Sequence, residues 1–207
     1  MPRRSPSSSR WLQRQAGDPY VKQSHQQGYR SRAAFKLKDI DKRDRLLKKG
    51  GRVLDLGASP GGWTQVACEA VGPRGTVVAL DVLKMPPIVG AIFIEGDCRD
   101  PNIHTALDTA LGGQPVDLVM SDMAPNISGI ALKDGAALED LLEMCLELAD
   151  RHLRPGGALV VKLFEFAGTD DLVRAIKRKF ATVARRKPAA SRSESREFYV
   201  VAKGFGI

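Results

Sequence analysis

The apolar positions of this chain change period several times. Over residues 31–48, "SRAAFKLKDIDKRDRLLK", Ala33, Leu37, Ile40 and Leu47 share one helical face, with Ser31 placed to cap it and Gly50-Gly51 to end it. "RVLDLG" is a short apolar run, read as a buried strand. Helix and strand then alternate. "GWTQVACEAV" predicts a helix, "GTVVALD" and "AIFIEGD" strands, and "DPNIHTALDTAL" a helix with Pro101 in its first turn. "PVDLVMSD" predicts a strand, residues 134–153 a long helix closed by "RPGG", "ALVVKLF" a strand and "DDLVRAIKRKF" a helix. Two last strands, "TVARRKP" and "EFYVVAKG", are joined only by "AASRSESR". Alternation of this kind implies a parallel sheet covered on both faces. The last two strands have no crossover helix, so they pair antiparallel or lie far apart. The predicted fold is α/β: a doubly wound, mostly parallel sheet of seven strands with one antiparallel strand near its end.

Charge adds a partner to this picture. Residues 1–52 hold 15 Lys/Arg against 4 Asp/Glu, a balance of +11; residues 53–155 balance at −9 and residues 156–207 at +6. A basic side built from both ends of the chain suits a nucleic-acid backbone. The first 30 residues are rich in Arg and Ser, a composition that also fits a transit peptide. The basic character continues through residue 52, however, so the reading is a basic arm over 1–30 followed by one domain over 31–207. No apolar run is long enough to span a bilayer. Cys68, Cys98 and Cys145 are scattered, with no CxxC pair and three histidines in all, so neither a zinc site nor a disulfide framework is expected. A cytoplasmic monomer is the expectation.

The turn "VLDLGASPGGW" joins the first strand to the following helix, at the edge where doubly wound sheets bind ligands. Its spacing is G-x-x-x-G-G, not the G-x-G-x-x-G that cradles a pyrophosphate. Gly57, Gly61 and Gly62 let the backbone pass close to a ligand, with Ser59 and Pro60 of the same turn also expected at the cofactor and Asp55 just ahead of them. Asp81 ends the second strand, where a carboxylate grips ribose hydroxyls, and Asp97 ends the third, placed to accept from an adenine amino group. A nucleoside without a diphosphate, such as S-adenosylmethionine, suits the set; Asp55 and Asp122 also suit its cationic groups. The bland alternative is a tight turn with acidic strand ends.

Lys162 is the odd residue in "GGALVVKLFEF", a lysine within a strand that reads as buried. A lone buried ammonium is costly unless compensated. Asp122 ends the fourth strand in "SDMAPN". Glu197 begins the last strand, which meets that edge if it runs antiparallel. Lys36 comes from the first helix. Two lysines and two carboxylates are thus expected to converge, with Asp122 and Glu197 compensating Lys162. Read alone, Lys36 also suits a solvated helix face, and Glu197 a surface pair with Arg192 or Arg196.

"SRAAFKL", "VLDLGASPGGWTQV", "SDMAPN", "GGALVVKLF" and "SRSESREFY" together resemble the signatures of the FtsJ ribose 2′-O-methyltransferases, over nearly the whole chain. The resemblance implies a Rossmann-like adenosylmethionine-dependent methyltransferase fold. It implies a catalytic tetrad of Lys36, Asp122, Lys162 and Glu197, and cofactor contacts at Gly61, Trp63, Asp81, Asp97 and Asp122. Trp63 suits a core position equally well. The implied substrate is a uridine ribose of large-subunit ribosomal RNA on the assembled subunit. "GIALKDGAALED" and "LFEFAGTDD" depart from the pattern and flank the site.

A ribose hydroxyl is a weak nucleophile, so a base beside it helps. Lys162 is expected to orient the hydroxyl and take its proton, with Lys36 stabilising an alkoxide or a phosphate. Other readings stay open: a methyltransferase acting on another RNA such as tRNA, an RNA-binding assembly factor without catalysis, an adenine-N6 enzyme and a nicotinamide oxidoreductase. "DMAPN" lacks the aromatic of the third, and the turn lacks the fingerprint of the fourth.

Overall fold

The computed structural model describes residues 18–125 and 128–207. Residues 1–17 of the expected basic arm lie outside the described residues. The elements, in chain order, are α1 (Pro19–Gln26), α2 (Ala33–Asp44), β1 (Arg52–Leu56), α3 (Gly62–Val71), β2 (Thr76–Asp81), β3 (Ala91–Glu95) and α4 (Pro101–Ala110). They continue with β4 (Val116–Ser121), α5 (Ala131–His152), β5 (Leu153–Phe164), α6 (Thr169–Lys177), β6 (Phe180–Arg186) and β7 (Glu197–Phe205).

The seven strands form one sheet in the order β3-β2-β1-β4-β5-β7-β6. The β3 to β5 pairings are parallel; β7 runs antiparallel to both β5 and β6. Alternate strand residues feed two cores. Leu54, Val78, Val119, Leu159, Val161 and Val200 point to the face covered by α4, α5 and α6. Val53, Val77, Leu118, Met120, Val160, Tyr199 and Val201 point to the face covered by α2 and α3.

Several boundaries move from their expected places. The first predicted helix stops at Asp44, not residue 48, because one Asp41 oxygen accepts both the Leu46 and Leu47 N–H groups at 2.8 Å, with Arg45 in the left-handed region at φ 52°. Helix α1 was not expected: it is polar and buries only Ser24, but Asp18 caps its Tyr20 N–H and Tyr20 meets Phe35 of α2 at 5.7 Å between ring centroids. Helix α5 begins at Ala131, three residues early, and Asp134 reaches back to the N–H groups of Ser128 and Gly129. The "RPGG" segment is not a closing turn but the opening of β5, where pairing with β4 shifts register between Val116 and Leu118. Phe180 leaves the last helix for β6 and packs on Phe205. Among the described residues, no helix is long and apolar enough to cross a membrane.

Candidate active site

Strand periodicity brings the ionisable residues together. Met120, Val160 and Tyr199 all lie on the α2–α3 face, so Asp122, Lys162 and Glu197, each two residues away, follow on that side at the carboxyl edge of the parallel strands. Because β7 is antiparallel, its first residues meet that edge: Lys162 pairs with Tyr199, and Phe164 with Glu197. Helix α2 closes the face with Ala34, Leu37 and Ile40 and turns Lys36 toward the same rim.

The four predicted catalytic residues do converge, as two ion pairs. Lys36 Nζ lies 2.6 Å from Glu197 Oε1, and Lys162 Nζ lies 3.1 Å from Asp122 Oδ1. Lys162 also donates to the backbone carbonyl of Asp122. Both lysines are buried, 8% exposed at Lys36 and 9% at Lys162. The expectation that Glu197 holds Lys162 is therefore corrected: Asp122 pairs directly with Lys162, and Glu197 pairs with Lys36. Burial pushes the Glu197 carboxyl upward, but Lys36 first and the more remote Lys162 outweigh it and hold it below the usual range.

Tyr199 is a member of this cluster that sequence reasoning missed. Its hydroxyl donates to Asp122 Oδ1 at 2.6 Å from a fully buried ring. Burial, reinforced by the Asp122 charge, raises the phenol well above its ordinary value, so it stays an O–H donor. Lys36 Nζ sits 5.5 Å from the centroid of the same ring. Alternation was the available signal, since Tyr199 stands two residues after Glu197.

A cleft of about 310 Å³ lies on the other side of Asp122, lined by Gly57 and Ser59 of the turn, Asp81, Gly96, Asp122 and Met123 among others. At Gly57, φ is +73° and a Cβ would stand 2.1 Å from Met123 Cγ, so a side chain here would collide with the Asp122 loop. Asp81 accepts the Ser59 N–H at 2.8 Å and the Leu83 N–H at 2.7 Å. Each of its oxygens keeps a lone pair, which fits a carboxylate that holds two ribose hydroxyls.

Other predicted cofactor residues stand elsewhere. Asp55 is 1% exposed beneath the turn and accepts the Thr64 hydroxyl at 2.6 Å; it does not line the cleft. Burial first, then the charges of Asp122 and Asp81, push its carboxyl up to about 7 against the Thr64 hydrogen bond. Trp63 is a core residue, donating to the Ala33 carbonyl at 2.8 Å and meeting Tyr199 at 5.6 Å. Gly62 gives α3 close approach to α2, since a Cβ there would fall 2.3 Å from Ser31 Oγ. Gly61 and Pro60 face Arg30, whose guanidinium also donates to the carbonyls of Pro60, Pro86 and Pro87. Asp97 lies two residues beyond the end of β3, next to the cleft residues Gly96 and Cys98. Its carboxyl is held at about 2 by the Arg99 side chain and backbone N–H.

A basic hollow opens on the α2 side, lined by Arg32, Lys36, Arg192, Ser195 and Glu197 among others. Asp18 occupies its edge, paired with Arg32 and 3.6 Å from Arg192. The cysteines offer no nucleophile: burial pushes the Cys68 thiol up to about 11 and the Cys145 thiol to about 12.

Comparison with known proteins places this geometry. The chain is 50% identical over 204 residues to ribosomal RNA large subunit methyltransferase E of Xanthomonas campestris pv. campestris, covering 99% of this chain and 97% of that one. The corresponding protein of Xanthomonas oryzae pv. oryzae is equally similar. Among solved structures, a ribosomal RNA methyltransferase from Plasmodium falciparum matches with a TM-score of 0.76 at 29% identity, over 86% of this chain and 98% of that one. Aeropyrum pernix fibrillarin, solved with natively bound S-adenosyl-L-methionine, shares the fold at a TM-score of 0.58 and 18% identity, over 84% of this chain and 75% of that one. A family model, FtsJ-like methyltransferase, matches residues 29–205. Lys36, Asp122, Lys162 and Glu197 all fall within that span, and the chain belongs to the FtsJ-like methyltransferase family.

Proposed function

We propose that this protein transfers a methyl group from S-adenosylmethionine to the ribose 2′-hydroxyl of a uridine in large-subunit ribosomal RNA, with the assembled large subunit as substrate. The observation that carries the reading is the pair of buried lysine–carboxylate contacts at the rim between an Asp81-bearing cleft and a basic hollow. The names of the similar bacterial proteins support the choice of RNA.

The cofactor supplies an electrophilic methyl group on a sulfonium. The protein's part is positioning and proton handling. Asp81 would hold the nucleoside end of the cofactor, and Gly57, with no side chain, would leave room for it in the cleft. Lys162 gives two N–H groups to Asp122, which fixes its amine at the rim; acting as a base requires the neutral amine, whose lone pair then faces the ribose hydroxyl. As the ribose oxygen takes the methyl carbon, that carbon's bond to sulfur would break to leave a neutral thioether, and the hydroxyl proton would pass to the lone pair of the neutral Lys162 amine. Tyr199 fixes the Asp122 carboxylate from behind. Lys36, kept in place by Glu197, adds positive charge beside the developing alkoxide and the adjoining phosphate. Arg32 and Arg192 extend that positive field into the hollow.

Methyl transfer from labelled S-adenosylmethionine to under-methylated large subunits, with the modified nucleoside identified by mass, tests the reading. A 2′-O-methyluridine is expected. A methyl group on a base would overturn the mechanism. Cofactor binding without transfer to any RNA would favour an assembly factor.

A further inference from the structure

Beyond the Asp122 loop lies a cleft of about 360 Å³ that the steps above do not use. Its walls are Pro125 and Gly129 after β4, Gly135 and Leu138 of α5, and Phe164 and Phe166 at the end of β5. All of these wall residues except Pro125 fall in the two segments that depart from the family pattern, "GIALKDGAALED" and "LFEFAGTDD".

The cleft borders the reaction centre through its neighbours in the chain and the sheet. Pro125 stands three residues after Asp122, and Phe164 is the cross-strand partner of Glu197. Two glycines make room for the Phe166 ring. A Cβ at Gly135 or at Gly168 would each fall 3.0 Å from Phe166 Cε2. A glycine inside a helix weakens it, so Gly135 in α5 trades helix stability for that space. The acids at the rim are already engaged. Glu165 pairs with Arg185 at 3.0 Å, and Asp134 accepts from the backbone and hydroxyl of Ser128 at 2.7 Å and from the Gly129 N–H at 3.0 Å. Arg196 is exposed at the same rim. An apolar slot with an aromatic wall and a guanidinium at its mouth matches a nucleotide: a flat base inside, a phosphate outside.

We propose that this cleft receives a nucleobase of the substrate strand next to the reacting ribose, stacked against Phe166, with Arg196 on the adjoining phosphate. The inference rests on the RNA reading above. Stacking of this kind acts on ground state and transition state alike, so it appears in KM and not in kcat.

The test is steady-state methyl transfer to under-methylated large subunits. Phe166→Ala is expected to raise KM about 5- to 150-fold, the range for removing one base–aromatic stack, with kcat within about twofold. Phe166→Tyr is expected to restore KM, while Phe166→Leu, apolar but not aromatic, does not. Gly135→Ala keeps every aromatic and favours the helix, yet its Cβ presses on the Phe166 ring and displaces it; it too is expected to raise KM. Wild-type behaviour of Phe166→Leu, or a fall in kcat at constant KM, overturns the base-stacking role and leaves the methyltransferase reading standing; the former result points to a protein side chain as occupant. Failure of the wild-type chain to methylate any RNA ribose overturns both.

Discussion

Replacing Tyr199 with Phe removes one oxygen atom from the centre of the site and little else. The ring keeps its packing on Trp63 at 5.6 Å and its place beneath Lys36, so no cavity forms. What disappears is a hydrogen bond of 2.6 Å to an ionised acceptor. Bonds of that class contribute about 1.5–3 kcal/mol net. Here the low end applies, because the Asp122 side chain is 19% exposed and still holds Lys162 at 3.1 Å. A loss of about 1.5 kcal/mol corresponds to about 3–6 °C in Tm for a chain of this length. If the phenol also fixes the carboxylate that aims Lys162, the single-turnover rate of methyl transfer falls about tenfold at saturating cofactor and RNA. Thermal unfolding and rapid-quench methyl transfer on the same preparation read the two quantities separately. A lowered Tm with an unchanged rate would refute the positioning role and leave Tyr199 as a packing residue with a satisfied hydroxyl.

Lys162→Arg keeps the charge and the donors but cannot give up its proton at working pH, so the rate is expected to drop about 10²- to 10⁴-fold; a pH–rate profile matching wild type would remove proton acceptance from the account. Reversing Lys42, Arg43, Lys48 and Lys49, all on the surface, to Glu is expected to weaken RNA binding and flatten its salt dependence, by about 0.7–0.9 in slope for each phosphate no longer neutralised, with cofactor affinity unchanged in a titration. Asp55 titrates near 7 when folded and near 3.9 when unfolded, so the folded state binds the extra proton between those values. Its contribution to stability is full below pH 4 and is lost as pH rises to about 7, on the order of 4 kcal/mol. Denaturant unfolding of Asp55→Asn across that window is expected to show a shallower decline than wild type, and an identical decline would contradict the assignment.

Most strands and helices are legible in the sequence because alternation at period 2 and period 3.6 stays clean along this chain. Helix α1 is not, since "PYVKQSHQ" presents no apolar stripe and depends on its Asp18 cap and the Tyr20–Phe35 contact. The end of α2 falls earlier than expected because the stop signal is a side chain inside the helix, Asp41, and not the glycines beyond it. The tetrad can be read from strand ends and family resemblance, yet its pairing cannot. Which lysine meets which acid is set by how α2 lies across β7, information that no local segment carries. The glycine-rich turn divides for the same reason. Gly57 serves the cleft, whereas Gly62 and Trp63 serve the packing of α3 against α2. Asp97 reads as a free acceptor in the sequence, and its partner Arg99 stands only two positions away.

The last strand made is not the last in the sheet: β7 slots between β5 and β6. Until residues 197–205 leave the ribosome that synthesises them, β5 offers an open hydrogen-bonding edge and β6 has nothing to pair with. Two of the site's working side chains, Glu197 and Tyr199, arrive with that final segment. A nascent or prematurely terminated chain therefore lacks both a closed sheet and half of its ion-pair network, and it presents a sticky border to its neighbours for as long as the tail is withheld.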